Sequence, residues 1–301
     1  MKRIFSLLLI PVVAVLFTAC TKYDTFESLE VIDNDCGVNI KEGSDLAYDK
    51  KNGLLYIVGD KGDFYICKAE VKEDSISLTY VSSKKIGHTL SSIDSEGLDF
   101  NENGELFLST EGANASVYSI NKLGDITGDH GLPTVLDEAT YVNNNSKFEA
   151  MTYNKDQGGI LLAAELPING QSDVSKQAIY NLDGDKVWHF KAESHAKNSV
   201  TAIETIDEDK GNLLVLERAH AGSGFSTSFN ITIKKVILDG CNSSVEKPCD
   251  SVVLKSFKGG FTGNYEGLTN IDDGRYLMIN DNQGFVSTNF KFFNIKREVE
   301  Q

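Results

Sequence analysis

The sequence predicts an all-β protein in which five four-stranded units close into a ring. Three observations predict this fold: a short motif recurs about every fifty residues, a second apolar run follows each copy, and glycine-containing turns separate the runs. Runs of Val, Ile, Leu, Tyr and Phe between Asn-Gly, Asp-Gly and Gly-Gly turns are typical of antiparallel hairpins. The 301 residues are 41% hydrophobic and 24% charged, which excludes a disordered chain, collagen, a coiled coil and a multi-span membrane protein.

The motif has five copies, whose starts are 52, 53, 52 and 65 residues apart. In each copy the second apolar run ends in an acid, 15 or 16 residues after the motif begins. The motifs are Ser44–Tyr48, Glu96–Phe100, Glu149–Tyr153, Thr201–Thr205 and Glu266–Asn270, and the second runs are Leu54–Asp60, Leu106–Glu111, Ile160–Glu165, Leu213–Glu217 and Tyr276–Asp281.

Further apolar runs complete the units. In the first unit they are Phe64–Val71 and Ser77–Ile86, and in the fourth they are Asn230–Leu238 and Ser251–Phe257. Four strands in about fifty residues are typical of a β-propeller blade.

The two ends of the chain are predicted to complete one blade together. The fifth unit has only three strands, the last being Asn289–Lys296, whereas Asp24–Ile32 belongs to no unit of its own. A six-bladed ring is the alternative if the N-terminal segment and the long fourth repeat contain another sheet. A β-sandwich with fortuitous spacing is the second alternative.

The N-terminus has the pattern of an export signal. Lys2 and Arg3 precede an apolar stretch, Ile4–Phe17, that is too short to span a membrane. The stretch ends in Leu-Phe-Thr-Ala-Cys20, which resembles a bacterial lipobox, so residues 1–19 are predicted to be removed and Cys20 to be acylated. The rival reading is a buried Cys in an ordinary helix. By resemblance to Gram-negative lipoproteins, Thr21 in place of Asp after the Cys favours an anchor in the outer membrane, facing the periplasm or the surface. We expect residues 20–301 to form a single domain.

The chain is strongly acidic, with 29 Lys and Arg against 44 Asp and Glu and a formal net charge of −15. Loss of Lys2 and Arg3 with the signal leaves 27 basic and 44 acidic residues, a charge of −17. Such a protein repels nucleic acid and anionic lipid surfaces and favours cations as partners.

Four cysteines remain after the signal, and disulfides persist in the cell envelope. Cys241 and Cys249 flank a short polar loop that closes as a small ring, and Cys36 and Cys67 then pair by default. Three pairings are possible in principle. A zinc site is the rival interpretation, but it lacks close Cys-x-x-Cys spacing and clustered His.

The repeat places acids at one end of every blade. The start of one hairpin strand lies beside the end of the next, and the first strand of a blade lines the channel, so the acids should meet at one mouth of it. So many carboxylates cannot all stay ionised and unpaired, and oxygen ligands favour Ca²⁺ over zinc. Alternatively, each acid braces its own blade by accepting backbone N–H bonds. The candidate ligands are Asp60, Glu96, Glu111, Glu149, Glu165, Glu217, Glu266 and Asp281.

Basic side chains are predicted at the same mouth. Lys61 follows Asp60, Arg218 follows Glu217, and Arg275 lies near the final hairpin. Arg218 suits either bidentate phosphate binding or a structural pairing with nearby carboxylates, and His220 is the best-placed His for acid–base chemistry. No Gly-x-Ser-x-Gly elbow, P-loop, Rossmann glycine pattern or EF-hand occurs; residues 222–226 give a near-match that lacks the elbow spacing.

Five strings resemble the phytase-like propeller family, named for "esterase-like activity of phytase", over roughly residues 40–290. They are Glu96-Gly97-Leu98, Phe148-Glu149-Ala150, Leu214–Arg218, Tyr265–Leu268 and Ile279–Asn282. The resemblance implies an exported bacterial β-propeller that hydrolyses phosphate or carboxylic esters. Ser44 and Thr201 stand where the other copies have Glu, so a fully symmetric ring of acids is not expected.

These observations predict a lipid-anchored propeller that binds Ca²⁺ at its mouth and hydrolyses a small phosphoester or other ester. Bound Ca²⁺ would clamp a phosphate oxygen and activate a water, with Arg218 and Lys61 stabilising the developing charge. The alternative is a non-catalytic lipoprotein whose propeller face binds a small molecule or a protein while the cation stiffens the ring. The few basic groups argue against a highly charged substrate such as phytate.

Overall fold

The computed structural model describes residues 24–87, 93–136, 141, 147–195, 197–206, 209–221, 228–259, 263–272, 274–281 and 287–297. These residues form one eight-stranded and three four-stranded sheets, with one short helix, α1 (Asp35–Asn39), and 3₁₀ turns at Gly112–Asn114 and Thr134–Leu136. The predicted all-β class is confirmed. The predicted signal, Cys20 and residues 222–226 lie outside the described residues.

In each four-stranded sheet the strands are antiparallel and follow chain order. The bounds are as follows: β6 (Asp94–Phe100), β7 (Leu106–Glu111), β8 (Ser116–Ile120) and β9 (Ile126–Gly131); β10 (Phe148–Asn154), β11 (Gly159–Ala164), β12 (Lys176–Asn181) and β13 (Val187–Lys191); β14 (Asn198–Ile206), β15 (Asn212–Ala221), β16 (Ser228–Val236) and β17 (Ser251–Gly259).

The eight-stranded sheet joins two such units through the N-terminal strand. Its order is β18-β19-β20-β1-β5-β4-β3-β2, with β1 (Asp24–Asn34), β2 (Gly43–Asp49), β3 (Leu54–Gly59), β4 (Asp63–Val71), β5 (Ser75–Lys85), β18 (Tyr265–Asp272), β19 (Arg275–Asn280) and β20 (Phe290–Arg297). The first half of β1 pairs antiparallel with β20 and the second half pairs parallel with β5. The two chain ends therefore share one unit, as the sequence predicted.

The first strands of the units contact one another in a closed ring. Strand β2 contacts β6, followed by β10, β14 and β18, and β18 returns to β2. Glycines in the motif permit this close approach: a Cβ on Gly267 would lie 2.7 Å from the Cα of Asp45, and one on Gly97 would lie 2.6 Å from the Cβ of Met151.

Polar side chains link every neighbouring pair of strands in this ring by accepting a backbone N–H. The Asp45 carboxylate serves two junctions, because it accepts from Leu98 on one side and Leu268 on the other, at 2.8 and 3.1 Å. The remaining junctions are Tyr153 N–H to Asp99 (2.7 Å), Thr205 N–H to Thr152 (3.1 Å) and Asn270 N–H to Glu204 (3.0 Å).

Apolar layers fill the spaces between neighbouring units. Side chains alternate between the two faces of a strand, so in β3 Leu55 and Ile57 pack with the last unit, whereas Tyr56 and Val58 pack with the second. Burial on both faces explains why strands such as β3 form continuous apolar runs in the sequence and not alternating patterns.

Both predicted disulfides are confirmed. Cys36 in α1 bonds to Cys67 in β4 with a Cα–Cα distance of 5.9 Å, and Cys241 bonds to Cys249 at 5.7 Å. The first ties the segment after β1 to the first unit, and the second closes the loop between β16 and β17. These four thiols are therefore not available to a zinc ion. In the described part of the chain no helix is long and apolar enough to cross a membrane.

Candidate metal centre

Strand register defines one equivalent position in all five units, one pair beyond the cross-strand pair that precedes the β-bulge of the first hairpin. Four of these positions hold acids that the sequence singled out, and the fourth unit holds Arg218. The cross-strand pairs are Glu42 with Asp60, Asp94 with Glu111, Lys147 with Glu165, Ser199 with Arg218, and Asn264 with Asp281.

Glu217 lies one residue before that position, so its side chain points to the other face of the strand. It is fully buried, its carboxylate lies 3.1 Å from the Lys234 amine, and it accepts the Glu193 N–H at 3.1 Å. Burial raises its pKa even though Lys234 opposes the shift. The structure therefore places Glu217 in a bridge between the third and fourth units and does not bring it to the other predicted acids. The constant spacing of 15 or 16 residues could not reveal this one-residue offset.

Three carboxylates of the second unit form the tightest acidic group among the described residues. Asp94, Glu96 and Glu111 each offer one oxygen, and these oxygens lie within 4.8 Å of one another. We call these three residues the carboxylate cluster. Asp94 was missed from the sequence, although its position two residues before Glu96 places both side chains on one face of β6, opposite Glu111.

Burial makes the charge of the carboxylate cluster costly. Burial, followed by repulsion from Glu149 and Glu111, raises the pKa of Glu96 well above its ordinary value. Burial together with Asp94 and Glu165 raises the pKa of Glu111 to about 7, although the carboxylate accepts the Lys147 N–H at 3.2 Å. Of the described residues, none donates a hydrogen bond to the Glu96 carboxylate. A bound proton or cation would remove this cost.

The remaining predicted acids continue around the mouth. Asp60 accepts a hydrogen bond from Ser44 at 2.6 Å, and burial together with repulsion from Asp281 raises its pKa to about 6. Ser44 holds the motif position of Glu96, so in the first unit a hydroxyl replaces the second carboxylate. Burial and repulsion from Glu165 raise the pKa of Glu149 well above its usual range.

Arg218 joins the carboxylates of the third and fifth units. Its side chain is 14% exposed and forms ion pairs with Glu165, at 3.1 Å, and with Glu266, and it donates to Asn264 at 2.8 Å. Burial opposes its charge, but Glu266, Glu149 and Glu165 hold its pKa above the usual value. The positive charge of Arg218 lowers the pKa of Glu266, but burial has the larger effect and raises it to about 8. Asn264 also donates to Glu266 and Asp281, at 2.8 and 3.1 Å.

The other basic candidates lie at the margin of the site or away from it. Lys61 is 69% exposed and pairs with Glu42. The ring of His220 packs edge-on against Phe229, with centroids 5.4 Å apart. Arg275 pairs with Asp272 at the opposite end of β19 from Asp281, so the structure does not bring it to the mouth.

The donor set of the carboxylate cluster fits a hard cation. All three donors are carboxylate oxygens, and Ca²⁺ binds oxygens at about 2.3–2.6 Å, so opposite ligands stand up to about 5 Å apart. Oxygens within 4.8 Å of one another satisfy that span. Asp94, Glu96 and Glu111 are the residues that would hold the ion.

Comparisons with known proteins give a family and distant structural similarities. The family model described as Phytase-like, "Esterase-like activity of phytase", matches residues 39–284. No curated protein sequence matches. Two similar solved structures are the PQQ-bound aldose sugar dehydrogenase of Streptomyces coelicolor (9% identity, TM-score 0.48, covering 91% of this chain and 98% of that chain) and a protein of unknown function from Bacteroides caccae (13%, 0.40, 79% and 70%). Because the family model spans well over half of the chain, the protein belongs to the Phytase-like family.

Proposed function

We propose that this protein is an exported five-bladed propeller that binds one Ca²⁺ at the carboxylate cluster and hydrolyses a small ester there. The observation that carries the proposal is the convergence of three carboxylate oxygens within 4.8 Å, with two of their side chains buried. Each blade comprises four strands: β2–β5, β6–β9, β10–β13, β14–β17, and β18–β20 with β1. We assign residues 20–301 to this single domain.

The residues of the mouth have separate tasks in this proposal. Asp94, Glu96 and Glu111 hold the cation, which when bound polarises an ester oxygen and acidifies a water molecule. Ser44 orients Asp60 through their 2.6 Å hydrogen bond.

Arg218 affects which ligands fit this mouth. Its guanidinium donates to Glu165, Glu266 and Asn264, so these three groups already occupy it. Lys61 is exposed and paired with Glu42. A site with this charge favours a small or weakly charged ester over a polyphosphate.

The contacts of Arg218 with Glu165, Glu266 and Asn264 also favour a second function, ligand binding without catalysis. If the predicted catalytic groups are structural, the propeller face binds a small-molecule or protein ligand without turnover, and the cation stiffens the ring. Nucleic acid is no partner in either version, because the charge of −15 repels phosphate backbones.

Hydrolysis assays distinguish the two functions. We expect 4-nitrophenyl phosphate or 4-nitrophenyl acetate to turn over in Ca²⁺, to stop in excess EGTA and to stop in Glu96→Gln. Glu105 is exposed and lies at the far end of the same hairpin, so Glu105→Gln should retain the wild-type rate of hydrolysis. Absence of turnover for every ester in Ca²⁺ would exclude the hydrolase and leave the binding protein.

Stability without calcium should fall as pH rises. The pKa of Glu111 is raised to about 7 and that of Glu266 to about 8, so between about pH 4.5 and 8 the folded chain binds more protons than the unfolded chain. Its stability is then greatest at low pH and declines through this window. We expect the melting temperature in EGTA to drop from pH 5 to pH 8 and Ca²⁺ to reduce the drop. A melting temperature in EGTA that rises from pH 5 to pH 8 would contradict the raised pKa values of Glu111 and Glu266.

The lipid anchor belongs to the same proposal, and the direction of β1 determines its orientation. In the sheet, Asp24 at the start of β1 lies opposite Arg297 at the end of β20, whereas Phe290 at the start of β20 lies opposite Ile279 near the mouth. Strand β1 therefore begins at the end of the blade far from the mouth. The four steps from Cys20 to Asp24 span at most about 14 Å, so an anchor at Cys20 holds the face opposite the mouth against the membrane. Radiolabelled palmitate should enter the full chain and not Cys20→Ala; equal labelling would contradict the anchor.

A further inference from the structure

We infer that Arg218 takes the place of a second cation at the channel mouth and limits the protein to one bound Ca²⁺. This inference rests on the proposed calcium binding at the carboxylate cluster. It concerns the opposite part of the mouth, where the third, fourth and fifth units meet.

Arg218 occupies a position that holds an acid in the other units. In the other four units the equivalent position holds Asp60, Glu111, Glu165 or Asp281, and only the fourth unit places a basic residue there. A guanidinium thus stands within a ring of acids at the position where a fifth carboxylate would otherwise lie.

The contacts of Arg218 resemble those of a metal ion. Its two terminal nitrogens donate to Glu165, Glu266 and Asn264, which come from two different units. A positive charge that gathers side-chain oxygens from separate strands makes the same connections as a bound metal ion. Arginine is suited to this buried position because it stays protonated and is more weakly hydrated than an ammonium group.

The two parts of the mouth differ in how their acids are neutralised. Glu165 and Glu266 are paired with a guanidinium, whereas the charges of Asp94, Glu96 and Glu111 are not neutralised by an ion pair with a described residue. The Arg218 guanidinium therefore supplies the positive charge for Glu165 and Glu266, whereas the carboxylate cluster requires a cation from solution.

Removal of the guanidinium should convert its location into a second calcium site. Glu165, Glu266 and Asn264 would remain as oxygen ligands, with Glu149 and Asp281 close enough to act on them electrostatically. Carboxylates together with an amide oxygen are a donor set that Ca²⁺ accepts.

The test is the stoichiometry of calcium binding, measured by equilibrium dialysis of the full chain with metal analysis. We expect one Ca²⁺ in the wild type, two in Arg218→Gln and one in Arg218→Lys, which retains the charge. One Ca²⁺ in Arg218→Gln would overturn the inference, as would two in the wild type, although the latter would leave calcium binding intact. No Ca²⁺ in the wild type together with one in Arg218→Gln would refute the proposed site and support the role of Arg218.

Folding of the variant gives a second measurement. If Arg218→Gln unfolds in EGTA because its acids repel one another, millimolar Ca²⁺ should restore its circular dichroism, since the ion replaces the guanidinium. A variant that stays unfolded in Ca²⁺ would overturn the inference.

Discussion

Replacement of Asp45 by Ala is expected to lower the free energy of unfolding by about 4 kcal/mol. The substitution leaves two buried N–H groups without an acceptor, and each unsatisfied group costs about 1–3 kcal/mol. The Asp45 carboxylate accepts hydrogen bonds from Leu98 and Leu268 and is 4% exposed. Both bonds join different units, so the substitution weakens two of the five junctions of the inner ring.

Urea denaturation with intact disulfides measures this loss. Asp45→Asn keeps the size of the side chain and one acceptor oxygen and should lose only about 1–2 kcal/mol. Asp183 lies in an exposed turn, so Asp183→Ala is the control for removal of an acid, and its free energy of unfolding should stay near that of the wild type. A loss at Asp45→Ala as small as that of the control would show that the junction bonds do not hold the ring together.

Replacement of Lys234 by Met is expected to cost about 3–5 kcal/mol, because it leaves an unpaired charge in a buried site. The Lys234 side chain is 1% exposed, and its amine lies 3.1 Å from Glu217 and 3.1 Å from Glu193 and donates to the Lys191 carbonyl at 2.8 Å. The Glu217 side chain is fully buried, so water cannot replace the lost partner.

The double variant Lys234→Met/Glu217→Leu separates pairing from packing. Because it removes both charges together, it should recover most of the loss, and the denaturation midpoints of the four chains form a double-mutant cycle. Strictly additive losses would show that Lys234 and Glu217 do not act as a pair.

The first two strands of each unit could be predicted from the sequence because most of their residues are buried on both faces. In β3, for example, Leu55 and Ile57 face one neighbouring unit and Tyr56 and Val58 face the other. Such strands give unbroken apolar runs that end at polar turns. The shared unit of the chain ends was predictable for a different reason, since a segment that belongs to no unit of its own and a unit that lacks a strand complement each other.

The candidate site was predictable only to within one residue of register. The distance along the chain from Thr201 to Glu217 equals that from Glu149 to Glu165, yet β14 and β15 pair so that Arg218 takes the place of the acid. Because adjacent residues point to opposite faces, that single step moves Glu217 out of the mouth. Asp94 was missed because the motif was taken to begin at Glu96.

The junctions of the inner ring were not visible in the sequence at all. Asp45 contacts residues 53 and 223 positions away, at Leu98 and Leu268. The motif Ser44–Tyr48 places Asp45 on a predicted strand but does not show which backbone groups its carboxylate contacts. Only the closure of the ring brings these groups together.

Calorimetric titration of the full chain with Ca²⁺ at pH 7, in two buffers of different ionisation enthalpy, tests the proposed site most directly. We expect one Ca²⁺ to bind with release of protons, because the raised pKa values of Glu96 and Glu111 leave protons for the ion to displace. Asp94→Asn/Glu111→Gln should abolish that binding, whereas Glu105→Gln should retain it. Equal binding by the double variant and the wild type, or none by either, would contradict a calcium site at Asp94, Glu96 and Glu111.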